Sequence, residues 1–496
     1  MIHIDKGTRV VLVALGIHLA IVLPLASALN LWVDESYTIG TISGSLAHTL
    51  ERAAKFELQP PLYFLLMNLW GRLGTSVFFL RLFSVLSMVL AVVVISRLSK
   101  KMFPEFPPGW AALIAAVNPF AVWASTEMRL YAFLVLLSAM ILWTFHEGFL
   151  VATPNSRSHR TGFFVCSVLG LYTQYYAAFL LAALFVGLLA LKRWPALKRL
   201  AAWYALTAAC ALPLLFNILG QAADHTKFIV PDNGPQNYLS VAVRFIRYNL
   251  RLEWAPTAVY MAIYAACLAG LLGLAVKYRR ALDYRHAFSW ALVVVVTAFF
   301  LVILPIVNHE LVSISHTAVL FVPSLLIPVA AASLLPETIR RRGALLAAGI
   351  MIAANFIYMF SEYRPMAKLG DFRRAAAYIE ENETPGEAIV VFVADMVLPL
   401  SHYYSGVNSF LPIPIAPSPT RYDIRDFALK SEADLDAAIG GGRQPPDALW
   451  VFKWTSKGYL GVDFHGEILE EYIRKYYTVE DEKSFFESTV RLLRRK

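Results

Sequence analysis

Charge is scarce in this chain. Only 16% of its 496 residues are Asp, Glu, Lys or Arg, where soluble domains carry about 25%. Hydrophobic residues make up 58% and the mean hydropathy is +0.56, which excludes one soluble core of this length. Cysteine is scarce too. Cys166, Cys210 and Cys267 each sit inside an apolar run, which argues against a disulfide framework or a thiolate metal centre and leaves them as small buried hydrophobes. Neither a P-loop nor a Rossmann glycine pattern occurs, so the usual phosphate cradles for nucleotides are missing. No internal sequence repeat is present.

What the chain has instead is a series of apolar runs long enough to cross a bilayer, which takes roughly 20 residues. The net charge is +9. Its basic residues lie in clusters between those runs, a pattern that positive-inside topology explains better than nucleic-acid binding. At the N-terminus, Lys6 and Arg9 precede an apolar run over 10–29, and Ala26-Ser27-Ala28 resembles a signal-peptidase site. The run exceeds the h-region of about 7–15 residues, so it reads as an uncleaved first span.

Counting from basic cluster to basic cluster yields about eleven spans. The first emerges near Asn30, and an outer loop follows over 31–75. Within that loop, 61–73 is apolar but too short to span, so it reads as an interfacial helix, with Tyr63 and Trp70 suited to that depth. Later spans run over 76–98 to Lys100-Lys101, outward over 109–125, and back from 130 towards Arg157 and Arg160. A pair turns around Tyr172–Tyr176, with Lys192-Arg193 and Lys198-Arg199 beside it. The chain goes out again over 200–219 to a polar loop at 221–254 and returns to Lys277, Arg279 and Arg280. It then runs out to Val307, back to Arg340-Arg341-Arg342, and out over 343–360. Every inner loop in this scheme is basic, and the C-terminus is outside.

After residue 360 the composition changes. An amphipathic helix over 371–383 stops at Thr384-Pro385-Gly386, short β-rich runs lie at 388–393 and 448–452, and 467–477 is helical again. Loops at 412–419 (proline-rich) and Gly440-Gly441-Gly442 separate them. The expected fold is therefore an all-α polytopic membrane protein over 1–360 with a small C-terminal α/β domain over 361–496.

Three stretches at the outer face could carry chemistry. Trp32-Val33-Asp34-Glu35-Ser36-Tyr37-Thr38 follows the first span. Its adjacent carboxylates suit a base and a support or metal ligand; equally, Asp34 could cap the next helix. Gln59-Pro60-Pro61-Leu62-Tyr63 stiffens the entry to the interfacial helix, or is a plain helix start. Glu127-Met128-Arg129-Leu130-Tyr131 lies between two spans. Arg129 suits a phosphate, which its guanidinium fork grips at two oxygens; pairing with Glu127 or with lipid headgroups is the other reading.

Together these stretches resemble the GT-C membrane glycosyltransferases, in the branch of protein O-mannosyltransferases, the lipid A aminoarabinose transferase and the rhizobial lipopolysaccharide core transferases. The segment 59–66 with Trp70 and Gly74, Arg81-Leu82-Phe83-Ser84, and Asp371-Phe372-Arg373-Arg374-Ala375-Ala376 add to the likeness. Gln59 stands where the family often has His or Lys, and Ser315-His316-Thr317 where it often has Arg-Tyr. The resemblance implies a bacterial inner-membrane enzyme with its site and C-terminal domain in the periplasm. It implies a polyprenyl-phosphate sugar donor and a lipid, glycan or protein hydroxyl acceptor, with no nucleic acid. It implies Asp34 as base, Glu35 as its support or as a ligand of a divalent ion, and Arg129, flanked by Glu127 and Tyr131, at the lipid phosphate. Gln59, Pro60, Pro61 and Tyr63 would form the substrate loop. No cofactor is certain. The alternative is a transporter or flippase for a lipid-linked glycan, which should carry polar groups at mid-span and often inverted repeats. A scaffold would need neither Asp34 nor Arg129.

Overall fold

A computed structural model describes residues 6–151, 155–225, 256–303, 315–362, 367–440, 446–459 and 461–496, with Tyr238. Most of the expected outer loop at 221–254, the span end near Val307, and Gly441-Gly442 lie outside the described residues. The chain divides into two compact units. One comprises Met1–Ser27, Gln59–Asp224 and Pro231–Tyr358; the other is built mainly from Ala28–Leu58 and Met359–Lys496. Residues 28–58, which include the first part of the outer loop expected over 31–75, thus pack with the C-terminal region.

The first unit is helical. Its helices are α1 (Lys6–Ala28), then, after α2 (Val33–Ile42) and α3 (Leu46–Lys55) of the second unit, α4 (Leu62–Gly71), α5 (Val77–Met102), α6 (Pro108–Ala116), α7 (Pro119–Ser125), α8 (Tyr131–Phe145), α9 (Ser156–Thr173), α10 (Ala177–Ala190) and α11 (Trp194–His225). The helices Thr257–Lys277, Tyr284–Ile303, Phe321–Ser333 and Glu337–Glu362 follow. Among the described residues, eight helices are long and apolar enough to cross a membrane. The other three expected spans are helical but different in form. The segment 109–125 is broken into α6 and α7, because Pro119 offers no N–H and clashes with the preceding turn; the Asn118 side chain instead accepts the Phe120 N–H at 2.9 Å. Helices α9 and α10 have 18 and 14 residues. Of the span containing α8, 72% is buried, against 11% for α11, so α8 lies deep in the unit and α11 at its margin.

The expected interfacial helix is α4. Its Tyr63 is fully buried, with its ring 5.4 Å from Phe64 and 5.9 Å from Phe83, so packing within the unit claims this side chain. Trp70 keeps some exposure and donates its indole N–H to the Phe79 carbonyl at 3.0 Å.

The second unit holds a five-stranded sheet of order β2-β1-β3-β7-β6. The strands are β1 (Ala388–Phe392), β2 (Phe410–Pro412), β3 (Ala448–Trp454), β6 (Tyr477–Phe485) and β7 (Ser488–Arg495); β4 (Gly458–Tyr459) and β5 (Val462–Asp463) form a separate ribbon. β1 runs parallel to β2 and β3, while β3, β7 and β6 are antiparallel. Helix Phe372–Asn382 packs through Phe372, Ala375, Ala376 and Ile379, a helical spacing, and Asp371 caps it. The terminal hairpin of β6 and β7 goes beyond the sequence reading. β6 is an exposed edge strand rich in charge, so its alternation is weak, and its charges discourage further strand pairing.

Candidate functional site

The carboxylates after the first span belong to α2, in the second unit. Trp32 is the N-cap residue and makes no side-chain cap bond. Asp34 therefore lies inside the first turn, where a carboxylate is favoured by the unsatisfied N–H groups and the helix dipole, and it is not the cap. Neighbouring helix positions point about 100° apart, so Asp34 and Glu35 diverge. Asp34 stays partly exposed. Glu35 is fully buried and faces Lys368, whose Nζ lies 3.4 Å from its Oε2.

A hydrogen-bond clamp holds this arrangement. The Asn30 amide donates to the carbonyls of Lys368 and Gly370 at 3.4 and 2.8 Å and accepts the Lys368 N–H at 2.6 Å. The Leu31 N–H donates to the Tyr403 hydroxyl at 2.5 Å. The clamp brings a lysine to Glu35 across more than 300 residues of chain. With its charge matched by an ammonium, Glu35 does not fit a divalent-ion ligand. One other group of metal-type side chains converges among the described residues, Asp463, His465 and Glu467. All three are exposed; the His465 backbone N–H donates to Asp463 Oδ1 and the His465 ring bonds Glu467.

One helical turn beyond Asp34, Tyr37 reaches a second carboxyl. Its hydroxyl donates to Asp395 Oδ2 at 2.5 Å. Tyr37, Phe56 and Tyr422 meet edge to face, with centroids 5.1–6.0 Å apart. Burial pushes the Asp395 carboxyl up to about 7; the charge of Asp34 adds to this, and the Tyr37 hydrogen bond opposes it. Burial also raises Tyr37 and Tyr422 well above the ordinary tyrosine range. Sequence reading missed Asp395 and Lys368. Asp395 had one usable signal, its place just past the C-terminal end of a β-run, where α/β sheets tend to place ligand groups.

The remaining candidates belong to the first unit. Pro60, Pro61 and Tyr63 are buried at the start of α4, and Gln59 is part-exposed. Glu127, Met128, Arg129, Leu130 and Tyr131 form the turn from α7 into α8 and are buried, with Arg129 8% exposed. Tyr131 stacks on Trp123 at 5.2 Å. The Ser84 hydroxyl fixes the turn by donating to the Glu127 carbonyl at 2.6 Å. Arg81, one turn earlier on α5, is fully buried and donates to the Ala26 carbonyl at 2.9 Å, occupying an orphan acceptor near the end of α1. The Arg81-Leu82-Phe83-Ser84 stretch thus ties α1 and the Arg129 turn to α5. His316 lies at the start of a short 3₁₀ turn, His316–Leu320, its ring centroid 6.0 Å from that of Tyr176.

Residues 58–218 match the family model of dolichyl-phosphate-mannose-protein mannosyltransferases. No curated protein matches the sequence. The fold is similar to that of ArnT from Cupriavidus metallidurans without ligand, at 11% identity over 98% of both chains and a TM-score of 0.62. The same protein bound to undecaprenyl phosphate aligns at 11% identity over 97% of both chains, with a TM-score of 0.57. The archaeal oligosaccharyltransferase AglB from Archaeoglobus fulgidus, solved with an inhibitory peptide and a dolichol-phosphate, aligns at 11% identity over 90% of this chain and 69% of its own, with a TM-score of 0.51. The family match thus covers residues 58–218, and over nearly its whole length the chain has the fold seen in ArnT.

Proposed function

We propose that this protein is a membrane glycosyltransferase that moves a sugar from a polyprenyl-phosphate donor to an acceptor hydroxyl at the outer, periplasmic face of a bacterial inner membrane. The observation that carries the reading is the fold held in common over nearly the whole chain with a protein whose solved structure contains undecaprenyl phosphate. The family match over 58–218, which spans the Gln59–Tyr63 and Arg129 stretches, supports it.

In this reading the acceptor oxygen attacks the anomeric carbon as the bond from that carbon to the phosphate oxygen breaks. Asp34, exposed enough to meet an incoming hydroxyl, takes the acceptor proton. The electron pair of the breaking bond stays on the lipid phosphate, and Arg129 stabilises that charge with its guanidinium fork. Glu127, Tyr131 and the Ser84 bond set the posture of the Arg129 turn, and the segment from Gln59 to Tyr63 borders the substrate path. Glu35 serves folding through Lys368. The sugar is a hexose or pentose, and the acceptor is a lipid such as a lipopolysaccharide precursor, a glycan or a protein. The test is to incubate the purified protein with a panel of polyprenyl-phosphate sugars and acceptor extracts and to follow release of free polyprenyl phosphate. Release from at least one donor, dependent on both Asp34 and Arg129, is expected; no release from any donor overturns the reading.

A further inference from the structure

Arg52 lies in α3 with 7% of its surface exposed, and nothing in the reaction above uses it. Its guanidinium centre lies over the Phe56 ring, 4.0 Å from the ring centre, and its Nε donates to the Thr41 hydroxyl at 3.4 Å. That hydroxyl in turn donates to Glu57 Oε1 at 2.9 Å, so the carboxylate nearest to Arg52 acts on it across Thr41. Among the described residues, Nη1 and Nη2 make neither a hydrogen bond nor an ion pair. Nη2 lies beside Gly40, 3.5 Å from where a side chain there would begin. Gly40 and Thr41 belong to the last turn of α2, where the helix dipole favours a cation. The dipole accounts for a positive charge at this place. It leaves the two terminal amino groups of a largely buried fork without acceptors, which is costly. An oxyanion accepts from both at once.

The place of the fork suggests which anion. Thr41 follows Asp34 by seven residues, nearly two full turns, so both side chains leave α2 on one stripe about 10 Å apart along its axis. Between them the Tyr37 ring meets Phe56, with centroids 5.1 Å apart. We propose that Arg52 is an anion-binding residue for the acceptor: its Nη groups grip two oxygens of a phosphate or carboxylate that the acceptor carries about 10 Å from the hydroxyl to be glycosylated. The proposal rests on the reading of Asp34 as the group that takes the proton of that hydroxyl. The donor phosphate is the charge assigned to Arg129, in the other unit. Phe56 and Thr41 hold the guanidinium plane in place before the anion arrives, which lowers the ordering cost of binding.

Two measurements on the full-length protein in an uncharged detergent test this. The first is binding of radiolabelled inorganic phosphate in an Arg129→Ala background, which silences the donor site and needs no transfer. Arg52→Lys keeps the charge and loses the fork, and should weaken binding about tenfold at an unchanged melting temperature. Arg52→Met with Glu57→Gln removes both charges together and should abolish it. Glucose 6-phosphate should compete for the site and glucose should not. Equal binding of phosphate by all three proteins overturns the site. Competition by short-chain phosphatidylglycerol but not by glucose 6-phosphate assigns the fork to a lipid headgroup and overturns its role toward the acceptor. In the transfer assay, Arg52→Lys should raise the acceptor KM about tenfold and leave kcat and the donor KM unchanged. An arginine needed only for folding would leave the acceptor KM where it is, and that result overturns the proposal. If phosphate binding depends on Arg52 but no lipid-linked donor supports transfer, the glycosyltransferase reading fails while the anion site stands.

Discussion

Glu35 and Lys368 form a buried ion pair: Nζ lies 3.4 Å from Oε2, and the side chains are 0% and 2% exposed. The lysine ammonium also lies 5.8 Å from the centre of the Trp32 ring. The pair joins α2 to the segment that leads into helix Phe372–Asn382, so it fixes where the neighbouring Asp34 can stand. Removing one partner leaves a charge stranded in a dry site, whereas removing both does not. Lys368→Met should therefore destabilise the second unit by about 3–5 kcal/mol. The double variant Glu35→Gln, Lys368→Met should recover most of that loss. Denaturant unfolding of the three proteins decides the matter, and a single variant as stable as the natural protein rules the pair out as a structural tie.

Asp34→Asn keeps the shape of the side chain and removes its basic site. Because Trp32 holds the cap position, no cap bond is lost, and the melting temperature should be unchanged. Turnover with a lipid-linked donor should fall by a factor on the order of 10² to 10⁴. Near-normal turnover would return the base role to another group.

Arg129→Lys preserves charge but loses the planar fork that grips two phosphate oxygens. Donor affinity should drop, and drop further in Arg129→Ala. Because Ser84 holds this turn through the Glu127 carbonyl, which neither substitution touches, the backbone should stay in place. Binding of polyprenyl phosphate, measured directly, should weaken in both variants; equal binding in all three proteins removes Arg129 from the donor site.

The raised Asp395 carboxyl makes a prediction about stability and pH. A carboxyl whose affinity for protons is higher folded than unfolded stabilises the fold most at acid pH. It loses that contribution as pH rises from the usual aspartate value towards about 7. The loss is about 4 kcal/mol. Carboxylates held low by ion pairs, such as Asp423 beside Arg425, act in the opposite sense. The informative quantity is therefore the difference between the natural protein and Asp395→Asn. The variant should gain stability relative to the natural protein between pH 4 and pH 7, and a constant difference would contradict the raised affinity.

Topology has its own test. Fusion of a reporter active only outside the cytoplasm should work after Lys496 and fail after Arg342, if the basic clusters mark the inner face. A cytoplasmic C-terminus would rule out the eleven-span scheme and the periplasmic placement of the second unit.

The amino-acid sequence by itself determined the membrane class, the helical segments and the α/β character of the C-terminal region. It did so because hydropathy, basic clusters and turn residues act over one or two helical turns, and each span declares itself locally. It also located the Asp34, Gln59 and Arg129 stretches, through a resemblance carried by short contiguous motifs. Tertiary structure alone decided what those motifs touch. Glu35 meets Lys368, and Tyr37 meets Asp395 across 358 residues; no local pattern encodes either meeting. The same holds for residues 28–58, which packing assigns to the C-terminal unit, and for Tyr63, whose amphipathic ring suits an interface but is fully buried. The reason is physical: which charge is neutralised, and which carboxyl keeps its proton, depends on the groups within a few ångströms after folding, and those groups come from distant parts of the chain.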